Sequence, residues 1–137
     1  MNFEPTIEPG VALAGIAIGA APEQVLESFS RHQPVLLPDR IVFPAAGITA
    51  GYDRHGVYSV MCNTRLGIVY RGKLWAGMTV ADVLATSSRQ TAWGGAVVVD
   101  GILGIGLPLP AGYDDFERLD DFLPSHFVFP QLCVFRL

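Results

Sequence analysis

The segments GAAPEQVLESFSR (residues 19–31) and GMTVADVLATSSR (residues 77–89) lie over one another without a gap, and their repetition decides the fold. Each has a glycine, a helix start, a Val-Leu pair, then Ser and Arg. Each also follows an apolar extended stretch, GIAI (15–18) in one case and GKLWA (72–76) in the other. Self-similarity of this kind marks a repeated structural unit. The second start is the better formed: Thr79 serves as N-cap, Asp82 completes a short-armed capping box, and Met78 can staple to Val83. The first start places Pro22 at the first helical position, where no hydrogen bond is lost, and Glu23 in the first turn, near the positive end of the helix. Val25, Leu26 and Phe29 form one apolar stripe, and Val80, Val83 and Leu84 the other, so each helix packs on something flat.

The flat partner follows each helix. After the first come PVLL, a Pro38-Asp39 turn, RIVF, a break at Gly47, ITAGY, a turn over residues 53–56, and VYSVMC, an alternation expected of antiparallel strands joined by hairpins. After the second come GAVVV, an Asp100-Gly101 turn of the primed type, ILGIGL, then FVF and LCVFRL. The prediction is a single α+β domain over residues 1–137, with two helices on one face of antiparallel sheet. It is built from two strand-helix-meander repeats, about 11–70 and about 71–137. A chain of 137 residues is long enough to bury a real core.

One segment interrupts the second meander. GYDDFERLDDF (residues 112–122) carries Asp114, Asp115, Glu117, Asp120 and Asp121 in a chain only 16 % charged. Tyr113, Phe116, Leu119 and Leu123 recur at helical spacing, so a short amphipathic helix closed by Pro124 is expected, with the carboxylates off its apolar stripe. Such a face is either solvated or a recognition surface, and insertions between scaffold strands are where binding functions concentrate. The net charge of −4 argues against nucleic acid, which needs a basic face to neutralise phosphate, and suits a basic protein partner. VALAGIAIGAA (residues 11–21) resembles the core of a signal peptide, but its flank holds Glu4 and Glu8 and no basic residue. No run reaches the ~20 apolar residues of a membrane span, so a cytoplasmic protein is expected.

No catalytic motif is expected, nor a cofactor or metal site. His32, His55 and His126 lack ligand spacing, and Cys62 and Cys133 form no CxxC pair. Asp53, His55 and Cys62 can be drawn as a thiol nucleophile with its base, without any supporting local motif. GILGIG (residues 101–106) lacks the glycine order of a dinucleotide loop and reads as a strand that a neighbour approaches closely.

The repeated GxxxxxVL helix start after an apolar strand, followed by a meander, resembles the two-repeat architecture of β-lactamase inhibitory protein and the SmpA-type envelope lipoproteins. The small acidic chain also resembles immunity proteins of bacterial polymorphic-toxin systems, contact-dependent and type VI. The resemblance implies a stoichiometric inhibitor rather than an enzyme, an immunity protein that occludes the active site of a cognate toxin domain. Its expected contact surface is Tyr113, Asp114, Asp115, Phe116, Glu117, Asp120 and Asp121, facing a basic partner. The alternatives are a small-ligand or regulatory domain using a concave sheet face around Trp75 and Trp93, and a small hydrolase.

Overall fold

A computed structural model describes residues 3–113 and 115–137. They form one α+β domain. The first unit opens with short strands β1 (Ile7–Glu8), β2 (Ala12–Leu13) and β3 (Ile16–Ala17), continues through helix α1 (Pro22–Ser28) and a 3-10 turn (Ser30–His32), and ends in the meander β4 (Val35–Leu36), β5 (Arg40–Phe43), β6 (Ile48–Asp53) and β7 (Gly56–Cys62). The second repeats the plan with β8 (Val69–Tyr70), β9 (Leu74–Trp75), α2 (Val80–Thr86), β10 (Gln90–Trp93), β11 (Ala96–Val99), β12 (Ile105–Pro108), α3 (Leu119–Phe122) and β13 (Leu132–Phe135). The second unit thus starts at Val69, in the hairpin β8–β9, which corresponds to β2–β3.

The two meanders join edge to edge into one eight-stranded antiparallel sheet, ordered β10-β11-β12-β13-β7-β6-β5-β4. Their junction is symmetric. Gly19 N–H donates to Val57 O (2.8 Å) and Val57 N–H to Ala20 O (2.9 Å), while Gly77 N–H donates to Phe129 O (2.7 Å) and Phe129 N–H to Met78 O (2.8 Å). These paired bonds make Val57 equivalent to Phe129, and hence Met61 to Cys133. Met61 and Cys133 are themselves register partners across β7 and β13. A pseudo-twofold axis therefore passes between them, relating the units as protomers of a twofold dimer are related.

The helix starts follow local chemistry. Ala21 and Thr79 are the N-caps, as far apart in sequence as Gly19 and Gly77, and both helices span seven residues. At α2 every orphan N–H of the first turn has a partner. Val80 donates to Phe127 O, Ala81 to Ser125 O, and Asp82 N–H to Thr79 Oγ1 (3.1 Å), while Thr79 N–H donates to Asp82 Oδ2 (2.9 Å). At α1 only the returning arm exists, Ala21 N–H to Gln24 Oε1 (3.1 Å).

The core lies on one sheet face. Ile41, Phe43, Ile48, Ala50, Val60, Cys62, Leu132, Val134, Ile105, Leu107, Val97 and Val99 alternate inward and meet Val25, Val80 and Val83 of the helices with Leu13, Ile16, Leu74 and Met78 of the hairpins. Leu84, expected on the α2 stripe, is exposed. Two further expectations change. ILGIGL is a strand only over Ile105–Pro108, because Gly104 adopts φ +91° and lies against the N-terminal segment; a Cβ there would stand 2.4 Å from Gly10 N. FVF forms no strand of its own but pairs singly, Thr79 with Val128.

Candidate functional site

The symmetry isolates the acidic segment. Residues 54–55 suffice to join β6 to β7, whereas the equivalent step from β12 to β13 takes residues 109–131. This insertion is the largest departure from the twofold plan. It does not form the expected helix over Tyr113–Leu123: only Leu119–Phe122 is helical. The physical reason is tertiary. Leu119 is buried, Phe116 and Phe122 pack half-buried against the core, and their rings stack at 6.1 Å, so the periodic apolar residues act as anchors of an irregular loop. A helix this short without such packing is not stable in water.

Asp115, Glu117, Asp120 and Asp121 all face solvent. Asp114 lies outside the described residues. Arg118 is the one cation of the loop; its guanidinium donates to Asp120 (3.3 Å) and lies 3.7 Å from Asp121, and the Asp120 carboxylate raises its pKa. Asp115 Oδ1 accepts from Phe116 N–H (2.8 Å). Tyr113 is 55 % exposed, held edge-on against Phe122 with ring centroids 5.2 Å apart. Of the two aromatic residues expected at the contact surface, Tyr113 is therefore available and Phe116 is largely used as an anchor.

Among the described residues, no helix packs on the opposite sheet face. Tyr58, Ser59, Met61, Cys133, Phe135 and Trp93 line a groove of about 360 Å³ there, close to the pseudo-dyad. Trp93 is 46 % exposed, whereas Trp75 packs against the core, so the two tryptophans do not form one platform. Arg136 borders the groove and pairs with Asp53 at 2.9 Å, which holds the Asp53 carboxyl below its ordinary range.

The thiol grouping does not assemble. Asp53 Oδ1 caps His55 N–H (2.8 Å) in the β6–β7 turn, while Cys62 stands at the far end of β7, about 20 Å away at the usual strand rise. Burial pushes the Cys62 thiol up to about 11 and the Cys133 thiol up to about 12. Cys62 points into the core and Cys133 to the open face, which fits neither a disulfide nor a shared site. Among the described residues, no group of three or more His, Cys, Asp or Glu is placed to hold a metal ion. No helix among them is long and apolar enough to cross a membrane.

Comparison with known proteins adds no relative: no family model, no curated protein and no solved structure matches this chain.

Proposed function

We propose that this chain is a protein-binding inhibitor of the immunity type, using the acidic insertion to cover the active site of a partner with a basic surface. The observation that carries the proposal is the insertion itself. It adds to a scaffold whose helices and meanders follow a twofold plan a loop fastened from beneath by Phe116, Leu119 and Phe122, so that Asp115, Glu117, Asp120 and Asp121 project outward beside Tyr113. Carboxylates held by a rigid base lose little entropy on meeting Arg and Lys, and complementary charge raises association rates and penalises wrong partners. Tyr113 supplies the amphipathic ring that such interfaces favour. Arg118 neutralises part of the Asp120 and Asp121 charge and leaves Asp115 and Glu117 as the strongest attractors.

The test is titration of wild type and an Asp114→Lys, Asp115→Lys, Glu117→Lys variant against the product of the adjacent gene, where an immunity protein's cognate toxin is expected to be encoded, with circular dichroism confirming the fold. Weaker binding by the variant supports the proposal.

A second reading rests on the groove at Trp93. An aromatic-lined concavity on a helix-free sheet face suits a small apolar ligand. Trp93→Ala distinguishes the two: it should abolish binding at the groove and leave binding at the insertion intact.

A further inference from the structure

Away from both surfaces, a cleft of about 690 Å³ opens between the 3-10 turn, the β5–β6 loop and the segment after β7. Phe3, Ala46, Leu66 and Ile68 form the apolar part of its lining, beside polar Gln33. His32 stacks on Phe3 at 4.0 Å and closes one side. Arg31 and Arg65 both line it, and among the described residues no Asp or Glu does, although the chain has thirteen acidic residues against nine basic ones. Arg40, Lys73, Arg118 and Arg136 each pair with a carboxylate, whereas Arg31 and Arg65, like Arg54, Arg71 and Arg89, form no ion pair with any described residue.

Arg65 is also held in place. Its Nη1 donates to Pro44 O (3.1 Å) and its backbone N–H to Asn63 Oδ1 (2.9 Å). Asn63 reaches that position because residue 47 is glycine: a Cβ there would stand 1.9 Å from Asn63 Oδ1. The pseudo-symmetric copy sharpens the contrast. Arg89 is the counterpart of Arg31, and there the equivalent β11–β12 loop supplies Asp100, whose carboxylate binds Lys73 and the Ser88 and Arg89 N–H groups. In the first unit the matching loop is Pro44-Ala45-Ala46-Gly47 and supplies no acid. The first unit therefore has no carboxylate at the loop position that Asp100 takes in the second.

We propose that this cleft binds a small amphipathic anion, a carboxylate or phosphate monoester on an aromatic or aliphatic body. The charged end meets the guanidinium forks of Arg31 and Arg65, which match such oxygens two by two. The body lies against Phe3, Leu66 and Ile68. The site is independent of the protein-binding proposal.

Amide chemical-shift titration of the labelled protein with 1-naphthyl phosphate, 1-naphthoate, inorganic phosphate and 1-naphthol tests it. The expected result is saturable shifts of the amides at 31–33, 45–47 and 63–68 by either naphthyl anion. Inorganic phosphate should move the same amides only at concentrations on the order of tenfold higher, because it leaves the apolar walls uncovered. Arg31→Ala should weaken naphthyl anion binding about tenfold, the scale of one charge-assisted contact. Arg65→Lys, which keeps the charge but loses the fork, should weaken it less than Arg65→Ala. Shifts centred on the Trp93 groove, equal binding of 1-naphthol, or undiminished binding by folded Arg31→Ala would overturn the proposal.

Discussion

The cap of α2 offers the most direct probe of the repeat, because the pseudo-twofold supplies its own control. Thr79→Ala removes the Oγ1 that accepts from Asp82 N–H at 3.1 Å and leaves the other first-turn donors in place, since Val80 and Ala81 donate to Phe127 and Ser125. One half-buried N–H is orphaned. The expected cost is about 1 kcal/mol, typical of a lost Thr cap, or a melting temperature lower by about 4 °C for a domain of this size. Ala21→Ser at the equivalent cap should act in the opposite direction. The returning arm from Gln24 already exists, and a serine Oγ would complete the box for a gain of about 0.5 kcal/mol. Urea denaturation of wild type, both single variants and the double variant measures this, with unchanged slope as the sign that only the folded state was altered. The two effects should add, because the caps belong to separate units. A Thr79→Ala variant within 0.3 kcal/mol of wild type, the usual error of such sums, would show that the box does not hold the helix and that the repeat equivalence carries no energetic meaning.

Gly47→Ala should cost more than 1 kcal/mol, because the residue sits at φ +68° and its Cβ would collide with Asn63; a chemical melt decides it. Asp100 has its carboxyl pulled down to about 2, first by the hydrogen bond from Lys73 and then by the Arg89 and Ser88 N–H groups. A depressed folded value means stability that is fully present above the unfolded carboxylate range near 4 and lost as pH falls toward 2. Wild type should therefore lose more stability across that window than Asp100→Asn, and parallel urea midpoints for the two would contradict it. Both thiols should resist alkylation by iodoacetamide at pH 8 in the folded protein and react at once in denaturant, since buried thiols with raised pKa values supply almost no thiolate.

What was legible in the sequence was what local chemistry determines. Thr79 and Asp82 form the box that their spacing implies, Pro22 starts α1, and Asp100-Gly101 takes positive φ at both positions, because capping and turn formation involve residues a few places apart. Alternation in RIVF and VYSVMC located β5 and β7 for the same reason. The acidic insertion was visible as composition, but its conformation was not. Aromatic residues at helical spacing serve equally well as core anchors, and Phe116 and Phe122 are used that way. The Met61–Cys133 axis joins strands far apart in the chain, and no local signal encodes such a pairing. Arg31 and Arg65 likewise come to line one cleft through the fold alone, and no local signal marks them.

The measurement that bears most directly on the central claim is calorimetric titration against the product of the adjacent gene, at low and at high salt. Wild type should bind at one to one, weakening as added salt brings the Debye length toward about 8 Å and below. The Asp114→Lys, Asp115→Lys, Glu117→Lys variant should keep its melting temperature, bind on the order of tenfold more weakly or worse at low salt, and lose the salt dependence. Equal affinity for the two proteins with the same salt slope would contradict the account and leave the acidic insertion as a solvated connector.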